Sequence, residues 1–152
     1  MSSVPPRPIY SSVARTSWEG GLGEIHAYSM ILTYGGDIHI GANFSMNPFA
    51  IVYGHGGARI RSGVRIATHT VIIPANHDIS AKRAPLFESG VNARGIEIDN
   101  YAWLDAGVVV LDGVQIGHNS VVGAGNAGTA VTKSVPESTT VAGVPARVIA
   151  ER

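Results

Sequence analysis

Aliphatic residues recur along the chain at a spacing that neither a helix nor a simple strand imposes. Ile98, Leu104, Val110, Ile116 and Val122 stand six residues apart, as do Ile60, Ile66 and Ile72 and, before them, Ile40, Met46 and Val52. A companion pair lies at Val108 and Val114. A helix repeats about every 3.6 residues and a strand every second one, so a strict six points to something else. Just after the aliphatic position come glycine, asparagine or aspartate, as in "IGANFS", "LDAGVV" and "LDGVQIGHNS". These residues accept positive φ or bond locally, as a tight bend requires. The pattern predicts a coil with three flat sides, each aliphatic side chain pointing into a prism and stacking on the one eighteen residues later. Successive coils would pair as parallel strands about 4.8 Å apart, and no coil could bury its face alone. The period does not give the hand of the coil, although parallel crossovers are nearly always right-handed.

Composition agrees with many short strands and bends. There are nineteen glycines, and charged residues make up 14% of the chain, against about 25% in ordinary domains. The Val and Ile content is too high for disorder. At 152 residues the chain is one domain. Eleven basic and eleven acidic side chains cancel, and no run of Lys or Arg follows a phosphate backbone, so nucleic acid is not an expected partner. Nor is a membrane: the longest apolar run, 107–111, is far short of the roughly 20 residues a spanning helix needs. The opening "MSSVPPRPIY" reads as a proline-stiffened arm rather than a signal peptide. Without cysteine there is no disulfide framework, thiolate nucleophile or thiolate metal site. A cytoplasmic protein is the expectation.

The rhythm breaks at corners, where insertions into repeats usually carry function. Ile72 and Ile98 stand 26 positions apart, one six-residue step plus twenty extra. The surplus, 78–95, is polar, contains Lys82, Arg83, Phe87, Glu88 and Arg94, and begins directly after His77 in "IIPANHD". A smaller excess of two residues lies in "YGHGGA", 53–58, and a third break adds three residues at 126–128. An imidazole has an unperturbed pKa of about 6.5, so His77, at the exit of a rigid coil beneath an extra loop, can take a proton near neutrality. His26, His39, His69 and His118 read as structural. Asp78 is a weak partner for His77 because adjacent residues rarely face each other, and a backbone carbonyl of the loop is the expected orienting group.

The repeats, with "NHD" before the long loop, "YAWLDAGVVVLDGVQIGHNSVVGAG" after it and "VTKSVPESTTVAGVPARVI" near the end, resemble the hexapeptide-repeat acyltransferases. The nearest branch is that of maltose and galactoside O-acetyltransferases and the sugar O-acetyltransferases of polysaccharide synthesis. The resemblance covers about 38–149 and is most specific from Ile96 onward. It implies an all-β, left-handed parallel β-helix in a single acyltransferase domain. Residues 1–37 would be arm and irregular first coil, 38–125 the coils with inserted loop 78–95, and 126–152 the final coil and tail. It further implies a homotrimer with active sites between subunits, acetyl-CoA as donor, a sugar or glycan acceptor and no required metal.

Residue by residue, the resemblance gives His77 as the general base for direct transfer of acetyl to a hydroxyl. With no cysteine and no serine elbow, a ternary complex is expected rather than an acyl-enzyme. Asn47, in "GANFSMN", matches the acceptor-binding asparagine or is simply a turn former. Tyr53 and His55 either edge the acceptor pocket or form a bulged corner. Trp103, in "AWLDAG", matches the tryptophan that shapes the pantetheine tunnel, unless it packs the core. A backbone N–H of Ala106 or Gly107 matches the oxyanion donor. Ala124 and Gly125 are small enough for pantetheine to lie on the coil, and Thr132, Lys133 and Arg147 resemble residues near the adenine and phosphates. The extra residues at 126–128 depart from the family, which runs straight from "GAG" towards "VTK".

Other readings stay open. An amine acceptor on an amino sugar fits the same residues. A zinc enzyme resembling the gamma-class carbonic anhydrases would gather His55, His69 and His77 at a subunit boundary, but it lacks that family's closely spaced histidine pair and leaves "VTKSVPESTTVAGVPARVI" unexplained. The third is a scaffold without catalysis.

Overall fold

A computed structural model describes residues 16–80, 85–123 and 128–152. The prism is present as three parallel sheets. The first face carries strands Thr16–Trp18, Ile38–Ile40, Ala58–Ile60, Ile96–Ile98 and Gln115–Ile116. The second carries Glu24–Ile25, Ser45–Met46, Arg65–Ile66, Trp103–Leu104, Val121–Val122 and Thr139–Ala142. The third carries Met30–Leu32, Ile51–Tyr53, Val71–Ile73, Val108–Leu111 and Thr129–Val131. The chain is thus an all-β solenoid of about six turns.

Register explains the period of six. Ile40, Ile60, Ile98 and Ile116 stand opposite one another up the first face. Met46, Ile66, Leu104, Val122 and Val141 do so on the second, and Val52, Ile72, Val110 and Val131 on the third. Each is at most 3% exposed. Fully burying such a side chain is worth about 1.5–3 kcal/mol, and most of that burial exists only once neighbouring coils have stacked. A second inward position lies two residues earlier on each side, as at Ile38, Phe44, Ala50, Val64, Ala102 and Val108. The sequence showed this column only at Val108 and Val114, because Ala, Thr and Ser fill much of the rest. The buried hydroxyls are satisfied locally: Thr70 donates to the Asp105 carbonyl at 2.9 Å and Ser120 to that of Gly117 at 2.7 Å.

The uniform advance of eighteen needs correction. It holds between Glu97 and Gln115 and between Trp103 and Val121. The coil below advances by twenty, from Ile40 to Ile60, which matches the surplus in "YGHGGA". From Arg65 to Trp103 the advance is thirty-eight, the coil that carries the long insertion. From Val108 to Thr129 it is twenty-one, which includes the three extra residues. The first coil, with Thr16 opposite Ile38, advances by twenty-two and is largely exposed. At the far end Arg147–Glu151 folds back antiparallel on Thr139–Ala142.

Candidate active site

His77 stands where the third face gives way to the first. Pro74 and Ala75 lead the chain out of Val71–Ile73 into strand Asn76–His77, which pairs antiparallel with Val91–Asn92, His77 opposite Val91. The Asp78 N–H donates to the Gly90 carbonyl at 2.8 Å. The polar insertion is therefore a hairpin rooted on the third–first edge, with a 3-10 turn at Leu86–Glu88; Lys82 and Arg83 lie outside the described residues. Its return leg is clamped by Asp112, whose carboxylate is buried and accepts the N–H of Arg94 at 2.8 Å and of Gly95 at 2.9 Å. The sequence reading missed Asp112. The available signal was the acid of "LDG", placed at a bend one coil above the point where the insertion rejoins.

The two-residue surplus below has a partner in this site. It brings His55 beside His77, and the two line a cavity of about 250 Å³ together with Ile73, Ala75, Asn76 and Val91. The His55 ring stacks on Tyr34, centroids 4.5 Å apart, and Tyr34 stacks on Tyr53 at 5.5 Å. Burial holds the His55 imidazole below its ordinary pKa. Tyr34, 41% exposed, backs the His55 ring and is a residue that the sequence did not single out. His77 is exposed, outside the aliphatic ladder. Among the described residues nothing hydrogen-bonds its ring, the expected orienting carbonyl of the loop included. Asp78 is engaged with Ser80, whose hydroxyl and N–H hold its carboxyl below the usual range.

The remaining candidates divide between edges. Asn47 is exposed at the corner between the second and third faces, and so does not reach the cavity of His77 within one chain. Ala106 and Gly107 form the same corner two coils higher. Neither offers a free oxyanion donor: the Gly107 N–H donates to the Thr68 carbonyl at 3.0 Å, inside the inter-coil ladder, and the Ala106 N–H to Asp105 Oδ1 at 2.8 Å. The expectation is corrected for Gly107, and for Ala106 it requires displacement of the Asp105 carboxylate. Trp103 is 48% exposed and lies on the outer surface of the second face, between Arg65 and Val121. This removes the core-packing reading. Ala124 and Gly125 fall outside the described residues.

Lys133 and Arg147 come together. They line one cavity of about 250 Å³ with Ser134, Pro136 and Ala146, and neither is ion-paired to a described residue. Two cations without acids suit a phosphate-bearing ligand. Thr132 is exposed beside them. Among the described residues no group of three or more His, Asp or Glu is placed to hold a metal ion; His55 and His77 share a cavity, while His69 sits on the second–third edge.

No family model matches the chain. It is 37% identical over 120 residues to the galactoside O-acetyltransferase of Escherichia coli, covering 78% of this chain and 56% of that one. Among solved structures it resembles a galactoside acetyltransferase in complex with coenzyme A, at 32% identity and TM-score 0.78, over 90% of this chain and 64% of that one. It also resembles a hexapeptide-repeat acetyltransferase of Vibrio cholerae in complex with acetyl coenzyme A, at 26% identity and TM-score 0.77, over 88% and 70%. The chain spans little more than half the length of the curated relatives it matches.

Proposed function

From the premise that this chain is a hexapeptide-repeat β-solenoid sharing sequence and fold with acetyltransferases of the galactoside O-acetyltransferase type, we propose that it transfers acetyl from acetyl-CoA to a sugar or glycan hydroxyl. The observation that carries the reading is the exposed His77, which shares a cavity with His55 at the edge from which the long insertion departs. The acceptor hydroxyl attacks the thioester carbonyl, His77 removes its proton as the C–O bond forms, the C–S bond breaks, and the proton passes to the departing CoA sulfur. Positioned acid–base help of this kind is worth roughly 10²–10⁴ in rate. Lys133 and Arg147 hold the CoA phosphates and Trp103 borders the pantetheine.

The working unit is a homotrimer. Outward side chains of the third face form two apolar columns, Ile51, Val71 and Val109 in one and Tyr53, Ile73 and Leu111 in the other. The site candidates flank that face, His77, His55 and Lys133 on one edge and Asn47 and Ala106 on the other. A threefold arrangement that buries the third face sets the His77 edge of one chain against the Asn47 edge of the next. This joins residues that one chain keeps apart.

The test mixes purified protein with acetyl-CoA and a panel of sugars. Release of free CoA that depends on a sugar, with a product ester cleaved by mild alkali and seen by mass spectrometry, is the expected result. An alkali-stable product would make the acceptor an amine. No sugar-dependent release would end the reading.

A further inference from the structure

The edge that carries Asn47 also holds a histidine whose protonation the hydrogen-bond pattern fixes. Thr68 Oγ1 lies 2.6 Å from the Pro48 carbonyl oxygen and 2.9 Å from His69 Nδ1. A threonine hydroxyl has one proton, and a carbonyl can only accept. That proton therefore goes to Pro48. The contact with His69 is then made by an Nδ1–H that donates to Thr68 Oγ1, and the neutral ring keeps its lone pair on Nε2. Among the described residues Nε2 has no partner, and the residue is exposed.

The ring is also held from one side. Phe49 stacks on His69 with centroids 5.2 Å apart, and Tyr28 stacks on Phe49 at 5.6 Å. Tyr28, Phe49 and His69 occupy the same corner of successive coils at φ of 65°, 63° and 59°. For a side-chain-bearing residue that backbone costs about 1–2 kcal/mol; the corner between the first and second faces adopts it too, at Asn43, Tyr101, Asn119 and Ser138, so the conformation belongs to the bend of the coil, and what marks this corner is its stacked aromatic column. The next residue up this corner is Gly107, φ 70°, where even an added Cβ would meet nothing within 4 Å. Among the described residues, the aromatic column therefore ends in an oriented imidazole with open space at the next position above it.

We propose that His69 is a specificity-determining residue of the acceptor subsite, its Nε2 accepting a hydrogen bond from a sugar hydroxyl other than the one that is acetylated. The sugar approaches through the gap that Gly107 leaves, and Asn47, on the same edge one coil below, binds beside it. The inference rests on the acetyltransferase reading and names residues that hold its acceptor. His69 positions the sugar; the proton is still taken by His77 of the chain across the cleft.

The test compares wild type, His69→Phe and His69→Gln with acetyl-CoA and methyl β-galactoside, then with the monodeoxy forms of that sugar. His69→Phe keeps the stack on Phe49 and deletes the acceptor nitrogen. It should raise the acceptor KM about three- to tenfold, the effect of one neutral hydrogen bond, with acetyl-CoA KM, kcat and melting temperature unchanged; His69→Gln should recover part of the loss. One deoxy sugar should show the same loss in wild type and no further loss in His69→Phe. An unchanged acceptor KM, or losses that add for every deoxy sugar, would overturn the inference while an active wild type leaves the acetyltransferase reading standing. A wild type that acetylates no glycoside would instead end that reading. Nitrogen-15 NMR judges His69 independently of activity: the Nδ1–H tautomer is expected, shifted towards Nε2–H by Thr68→Val, and an Nε2–H ring in wild type would overturn the assignment.

Discussion

Replacing Asp112 by alanine should loosen the hairpin that bears His77 without touching the aliphatic core. The carboxylate accepts two backbone N–H bonds, from Arg94 at 2.8 Å and Gly95 at 2.9 Å. A bond to a charged group contributes about 1.5–3 kcal/mol. Arg94 is exposed and Gly95 half-buried, so water recovers part of both, and the net loss should be about 2–3 kcal/mol. The Arg94 guanidinium, 3.6 Å away on a side chain 77% exposed, adds little. For a domain of this size each kcal/mol moves the melting point by about 2–4 °C, so a drop of about 5–10 °C is expected. Hydrogen exchange should locate the change, because the Asp78 amide, bonded to Gly90 across the hairpin, loses protection while amides inside the coils keep theirs. Asp112→Asn, which retains one acceptor oxygen, should recover most of the loss. An Asp112→Ala protein with unchanged melting point and unchanged exchange at Asp78 would refute the clamp.

The other predictions concern the donor site and pH. Lys133→Ala and Arg147→Ala should each raise the KM for acetyl-CoA, more at low salt than at high, and leave the acceptor KM alone; equal effects on both substrates would remove the phosphate role. Trp103→Ala should raise the same KM with little change in melting temperature, since the ring lies half-exposed outside the core, and a large loss of stability would contradict that placement. Because burial depresses the pKa of His55, the unfolded chain takes up its proton first as pH falls below about 6.5. The stability owed to a neutral His55 is thus present above that value and lost as pH falls towards the depressed one. Denaturation midpoints followed from neutral to mildly acid pH should fall less steeply in His55→Gln than in wild type, and identical slopes would count against it.

The coils could be read from the sequence because an aliphatic residue every six positions has few physical explanations other than a three-sided stack. Even the surplus residues were countable, and the advances of twenty, thirty-eight and twenty-one fall where the breaks were. The second inward column was harder to see, since Ala102, Thr70 and Ser120 fit inside a prism corner yet carry no hydrophobic signal of their own. His77 could be placed because it ends a repeat. Asp112 and Tyr34 could not, because their roles depend on which coil lies above or below, and an insertion of twenty residues hides that from any local window. His69 looked structural for the same reason. The direction of its bond to Thr68 follows from the Thr68 hydroxyl donating to the Pro48 carbonyl, a matter of ångströms rather than spacing.

Complementation between inactive chains tests most directly the claim that His77 of one subunit works opposite Asn47 of the next. His77→Ala and Asn47→Ala proteins, each inactive alone, should on co-refolding in equal amounts regain about a quarter of wild-type CoA release, the share of interfaces in a random trimer that pair two intact edges. A mixture no more active than its parents, or a His77→Ala protein that still turns over, would contradict the account.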